Sequence, residues 1–288
     1  MKRALFFIFL FTQFCGNVNA QSKLQVDCNT IFIGIDSVTY DVLFANKYVK
    51  DTLFICRQVS GQTNKDAYTG KYLIGESATI EFFRPKPTGK LGDKIGDVGV
   101  ELKTRSINQL QELINRANAL KINIDTANIT YQDQDTTITW YNAVSLPINN
   151  QNFGFSTLEY QTQYLKYVGF TDTEILSPIT FAQFNAKLSG GKPYPRLFSS
   201  IKSISLSANI SQIKKIKDFC KLNDFSSRNK KSVNSSFTVF YEQNNAQVAL
   251  KLNRIQIALR AKQPKRNIFI SNALTIIVDG EVATFLFR

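Results

Sequence analysis

Short runs of alternating apolar and polar residues recur along the chain, and their order repeats. "NTIFIGID" (29–36) alternates and is rich in β-branched residues, which predicts a strand. Asp36 and Ser37 then cap a helix predicted over "VTYDVLFANKYVKDTLF" (38–54). Three further strands are predicted at 54–60, 69–75 and 78–83, separated by turns containing Gly, Asn, Asp and Ser. The order is β-α-β-β-β.

After the Pro/Gly-rich connection "RPKPTGKLGDKIG" (84–96) the same order begins again. "DVGVELKT" (97–104) reads as a strand. Ser106 to Gln109 fits a capping box, and Ile107, Leu110, Leu113, Ile114 and Ala117 share one helical face. Strands follow at 123–130, 136–144 and 153–161, with 131–135 as a hairpin turn. Residues 170–199 form a helical and loop-like linker. A third copy is then expected from the strand at 201–208, a helix capped by Asn209, and strands at "SSFTVFYEQ", "QVALKL", "IQIALRA" and "NALTIIVDGEVATFLF".

The predicted class is therefore α+β. Paired units over 28–84 and 97–161 form a half-open cup of mixed sheet with helices outside, within a first region spanning 28–165. A linker covers 166–199, and a third, basic βαβββ-like unit covers 200–288. The last strands of the first two copies share a tetrapeptide, Thr79-Ile80-Glu81-Phe82 and Thr157-Leu158-Glu159-Tyr160. Strand alternation puts Thr79 and Glu81 on one face, and Thr157, Glu159 and Gln161 on one face. With Ile80, Phe82, Leu158 and Tyr160 turned to the helices, both carboxylates would point into one shared cup. A buried carboxylate is costly without a partner. The repeated one is therefore the leading candidate for a ligand site.

These features resemble the vicinal oxygen chelate superfamily of glyoxalases, bleomycin-resistance proteins and extradiol dioxygenases. The stretches "YTGKYLIGESATIEFF", "GDVGVEL" and "STLEYQTQYLKY" are similar to an uncharacterised bacterial family within it, a domain of unknown function. The resemblance implies a metal-binding Glu on each unit's last strand, here Glu81 and Glu159. It also implies a His seven residues before the helix-capping Asp, where this chain has Asn29.

The chain contains no histidine. That removes the usual nitrogen ligand and the usual general base near neutral pH, and with it any Ser-His-Asp or Cys-His arrangement. A site on Glu81, Glu159, Asn29 and Gln161, flanked by Thr79 and Thr157, would hold only a hard cation such as Mg²⁺, Mn²⁺ or Ca²⁺. The first expectation is no cofactor at all and a small-molecule ligand in the cup, with little or no catalysis. The alternative is a divalent-metal lyase, isomerase or dioxygenase.

The 288 residues carry a formal charge of +13, and the excess lies in the last third. From Ser200 onward there are 15 Lys/Arg against 5 Asp/Glu, clustered in "KKIKDFCK", "RNKK" and "RAKQPKR". A third reading is thus an envelope protein that binds an anionic polymer or lipid surface through this unit. The clusters lack the interleaved aromatics of a nucleic-acid binder.

The start of the chain, with Lys2, Arg3, an apolar run over 4–14 and Val18-Asn19-Ala20, reads as a secretory leader cleaved before Gln21. Thr12-Gln13-Phe14 before Cys15 lacks the small residues of a lipidation site. The expected location is periplasmic or extracellular, with no later segment near the roughly 18 apolar residues of a membrane helix. Three cysteines remain after cleavage, Cys28, Cys56 and Cys220, which allows at most one bridge and leaves its pairing open.

Overall fold

A computed structural model describes residues 24–133, 135–147, 152–245 and 249–288. The leader, Cys15 and Gln21 lie outside them, as do Gln134 of the 131–135 turn and part of "QVALKL". The first unit comprises β1 (Val26–Gly34), α1 (Ser37–Val42), a π-helical turn (Val49–Leu53), β2 (Ile55–Gln62), β3 (Ala67–Ile74) and β4 (Thr79–Phe83). The second comprises β5 (Val98–Thr104), α2 (Gln109–Leu120), β6 (Asp125–Asp133), β7 (Thr136–Ser145) and β8 (Phe153–Tyr160). All eight strands form one sheet in the order β2-β3-β4-β1-β5-β8-β7-β6. Each unit's last strand runs parallel to its first, and the units join through antiparallel β1 and β5. This is the expected α+β half-barrel of tandem βαβββ units.

The single helix expected over 38–54 is two pieces. Asp36 caps the first through the Thr39 N–H. Asn46 then accepts from the Val49 N–H at 3.2 Å and opens a second turn. A short polar side chain that bonds its own backbone competes with helix continuation. The first unit's helix is therefore only six residues long.

Helices α3 (Thr162–Val168), α4 (Asp172–Ile175) and α5 (Phe181–Leu188) follow. The third unit is β9 (Phe198–Ala208), α6 (Ile210–Leu222), β10 (Ser226–Arg228), β11 (Lys231–Val233) and β12 (Thr238–Gln243). β12 is parallel to β9, and Asn209 caps α6 in a capping box with Gln212. The basic "RNKK" is the turn of the β10–β11 hairpin. The last two expected strand regions are one long hairpin, β13 (Lys251–Ser271) with β14 (Leu274–Phe287). The second sheet is ordered β10-β11-β12-β9-β13-β14.

One continuous apolar core joins the two sheets. It takes Ile31, Ile80, Phe82 and Leu102 from the first, and Ile204, Ile255, Ile257 and Phe285 from the second. Phe54, fully buried, is the joint. Its ring sits 5.4 Å from Phe198 and 5.7 Å from Phe285. Phe198 fits only because residue 75 is glycine, where a Cβ would come within 2.6 Å of its ring.

A second, separate cluster contains Tyr160, Leu165, Phe170, Ile175, Ile179, Phe181 and Phe184. It packs α3–α5 over the end of the concave face where β1 begins and β5 ends. There the Phe181 N–H reaches Asp27 at 2.9 Å, and Lys103 donates to the Ile179 carbonyl at 3.1 Å. The three cysteines are separate thiols, two of them buried. Burial raises the pKa of all three, Cys56 and Cys220 to about 12, and a thiol held protonated is a poor nucleophile.

Candidate functional site

Pairing across the sheet decides which side chains meet. One row runs Tyr72, Glu81, Phe32 and Gly99; the next runs Thr79, Thr30, Glu101 and Ser156. Ile80 and Phe82 lie in the inter-sheet core, so these rows occupy the opposite, concave face. Glu81 and Thr79 are where the alternation of β4 places them. Their partner carboxylate is Glu101 on β5, which alternation in "DVGVELKT" also makes visible. Val98, Val100 and Leu102 are buried on one face, leaving Gly99, Glu101 and Lys103 on the other.

Glu159 belongs to neither row. Even-numbered β8 residues share the face of Glu101 through the Glu101–Ser156 pair, so Glu159 and Thr157 point to the helix side. Thr157 is fully buried and donates to Asn223 Oδ1 at 2.8 Å. Glu159 accepts the Leu110 N–H at 2.9 Å, together with the N–H groups of Asn108 and Gln109. It caps α2. Asn108 enters that helix at φ 66° and gives no side-chain cap of its own. The expected Ser106 box survives only as a long 3.4 Å contact from the Ser106 N–H to Gln109. Helix N-termini favour anions, and this explains Glu159 without a ligand.

Conversely, Leu158 and Tyr160 face the concave side, away from α2, and Tyr160 packs there on α3–α5. Ile107 lies outside α2 and packs on the Tyr160 cluster. Gln161 stands at the junction into α3 and bonds the Glu159 carbonyl at 3.3 Å. The shared Glu81–Glu159 cup is therefore replaced by a Glu81–Glu101 pair. Glu159→Ala is expected to cost about 1–2 kcal/mol in urea unfolding, as loss of a helix cap does. It should leave ligand binding on the concave face untouched. A stability unchanged within about 0.3 kcal/mol would contradict this capping role.

Asn29 sits at a β-bulge. Cys28 pairs Leu102 and Thr30 pairs Glu101, so Asn29 is the extra residue. Its amide nitrogen donates to Thr30 Oγ1 at 3.1 Å and to the Glu101 carboxylate. Its oxygen is buried with no partner, on a residue 4% exposed. Phe32 lies against Gly99, where a Cβ would fall 1.9 Å from the ring. Glu81 and Glu101 are half-buried, and among the described residues neither enters an ion pair. Burial raises Glu101 to about 7, with the Asn29 hydrogen bond opposing. Burial, then the Glu101 charge, holds Glu81 well above the usual carboxylate range.

Tyr72 pairs directly with Glu81, and three more phenols lie within electrostatic reach of the acids. The charge of Glu81 acts on Tyr68, Tyr72, Tyr141 and Tyr160, and that of Glu101 on the last three. Burial is the larger cause of their raised pKa values, and it takes Tyr68 to about 12. Lys103 is the buried cation of this face, and its pKa is pushed down to about 8 by burial. Its ammonium donates to the Thr104 and Ile179 carbonyls and lies 5.3 Å over Tyr160, so it is spent on holding the helices.

A family model matches residues 28–287 of the chain. The chain belongs to that family of unknown function, DUF5829. No curated protein matches the sequence. Among solved structures, this DUF5829 chain is similar to a Mn(II)-bound glyoxalase from Novosphingobium aromaticivorans, at 11% identity and TM-score 0.44, over 90% of this chain and 81% of that one. It is also similar to a xylose isomerase-like TIM barrel/4-hydroxyphenylpyruvate dioxygenase fusion protein, at 12% identity and TM-score 0.47. That match spans 83% of this chain but only 36% of the fusion protein. An extradiol ring-cleaving dioxygenase from B. fuscum matches at 7% identity and TM-score 0.38, over 89% of this chain and 69% of that one.

The vicinal oxygen chelate resemblance implies a metal in the cup. The residues of this DUF5829 chain do not fit a nitrogen-ligated iron or zinc centre. Histidine is absent from the sequence, and among the described residues no three His, Cys, Asp or Glu side chains converge. The oxygen-bearing side chains on this part of the concave face include Glu81 and Glu101, with the Asn29 amide bonded to Glu101.

Proposed function

We propose that this DUF5829 protein, of vicinal oxygen chelate type, is an exported small-molecule-binding protein whose ligand sits over Glu81 and Glu101. The observation that carries this reading is the carboxyl pair itself. Two half-buried acids share the concave face on β4 and β5, one strand apart across β1 and within electrostatic reach of several phenols, and among the described residues no cation pairs with them. Such an arrangement costs stability unless something that binds there repays it. The leader-like residues 2–20 support export.

A second reading is an oxygen-ligated divalent cation, favoured by the unpartnered oxygen of Asn29, whose amide bonds Glu101. Native mass spectra of protein purified from its own host test the first reading. The wild type should carry an adduct of small-molecule mass that is missing from the Glu81→Gln/Glu101→Gln double variant. Identical spectra for the two proteins would remove the assignment. Manganese titration followed by electron paramagnetic resonance tests the second. Its support would be one bound ion in the wild type and none in the double variant.

A further inference from the structure

We infer that the group recognised at this site is a primary organic ammonium, seated among Glu81, Glu101 and the Asn29 oxygen with its hydrocarbon part against the surrounding tyrosines. This rests on the ligand-site reading above and names the chemistry of its ligand.

The acceptor count points this way. A primary ammonium presents three N–H donors and no acceptor. The site presents two carboxyl groups and one buried carboxamide oxygen, and that oxygen has no partner on a side chain 4% exposed. One donor for each group satisfies all three. A divalent hard cation asks for six to eight oxygens. It would take only these three groups from the protein and draw the rest of its shell from water.

The walls point the same way. Tyr68, Tyr72 and Tyr141 stand close enough to the acids to feel their charge, and Phe32 lies in the same row as Glu81. Aromatic faces attract a cation and also bury the hydrocarbon next to it. A hydrated metal ion gains little from such walls. An anionic ligand would be tolerated only while both acids stay protonated, and a neutral one would give neither carboxylate a charge to pair with once it ionises.

Among the described residues no substitute cation is supplied. Lys103 is held by two carbonyls and the Tyr160 ring. Lys71 pairs Phe82 on the opposite face and donates to the Tyr40 and Asp41 carbonyls. Arg57, beside Tyr72 on β2, is exposed. Because both acids hold protons more tightly than usual, an ammonium must displace protons to bind, and its affinity should climb as pH rises.

The test uses the full chain and its single tryptophan. Trp140 lies 4.9 Å from Tyr141 and reports on this face. The wild type is titrated with 2-phenylethylammonium, with its neutral isostere 2-phenylethanol, and with MnCl₂, each at pH 5 and pH 8. The expected result is saturable binding of the amine at pH 8, at least about tenfold weaker at pH 5, and at least about tenfold weaker for the alcohol. Glu101→Gln should lose at least about tenfold in amine affinity, and Glu159→Gln, on the other face, should lose none. Equal binding of amine and alcohol, or amine binding unchanged in Glu101→Gln, overturns the ammonium assignment. So does tight Mn²⁺ binding that the amine does not displace. An adduct that depends on the carboxyl pair, with no response to the amine, removes the ammonium and leaves the ligand site standing. No such adduct and no response to either cation removes both.

Discussion

Phe54→Ala should lower the unfolding free energy by about 3–5 kcal/mol, the range for truncating a buried phenylalanine. Phe54 is fully buried where the first unit enters β2, and it packs on two rings of the second sheet, Phe198 of β9 and Phe285 of β14. Each aromatic pair is worth roughly 0.5–1.5 kcal/mol beyond the area it buries, so the loss should fall in the upper part of that range. Collapse around the hole is hindered because Phe198 is already wedged against Gly75. The readout separates two architectures. Trp140 lies on β7 of the first sheet, far along the strand order from Phe54. If the sheets share one cooperative core, its fluorescence transition shifts together with the far-ultraviolet circular dichroism. A tryptophan transition that stays put while the dichroism shifts would mean that the third unit melts by itself.

Glu101→Gln should stabilise the protein at pH 8 by about 2 kcal/mol and change little near pH 4. The folded protein holds the Glu101 proton up to about pH 7, whereas an unfolded glutamate releases it near 4.3. The native state therefore binds more protons through that window, and its stability falls as pH rises across it. The full shift would correspond to about 3–4 kcal/mol. Partial exposure of the carboxyl reduces that figure. An amide stays neutral at every pH, so the variant lacks this slope. Urea titrations at pH 4, 6 and 8 measure it directly. Wild-type and variant curves that run parallel would show that Glu101 is not the strained acid of the pair.

The period-2 alternation of the strands carried most of the fold. It located β1, β4, β5, β8 and β9, and with them the repeated order that builds the half-barrel. It also contained Glu101, since the polar positions of β5 are the concave ones. The matching tetrapeptide points elsewhere. Glu81 and Glu159 align letter for letter, yet β4 and β8 are offset by one residue relative to the sheet, and one residue turns every side chain to the other face. Local sequence holds no record of that offset, because it is set by pairing between strands more than 50 residues apart. The cap on α2 is hidden for the same reason, as Glu159 reaches it from 49 residues away. The broken first helix was legible in part, since Asn46 marks the restart. The filling of one end of the cup by α3–α5 was not. Nothing in their apolar spacing says which sheet face they cover.

The six-residue helix of the first unit has a consequence for how the protein is made. So short an element cannot cover its side of the sheet, and distant chain does the work. Asp224 accepts the Leu24 N–H at 2.7 Å, Ser271 meets Thr39 at 2.6 Å, and Gln263 accepts from the Tyr48 hydroxyl at 2.9 Å. These partners leave the ribosome some 200 residues after the groups they bind. Until they arrive, the newborn first unit exposes Ile31, Ile80 and Phe82 to water, the condition in which nascent sheets stick to one another. Translation must run almost to the last strand before the earliest one is safe.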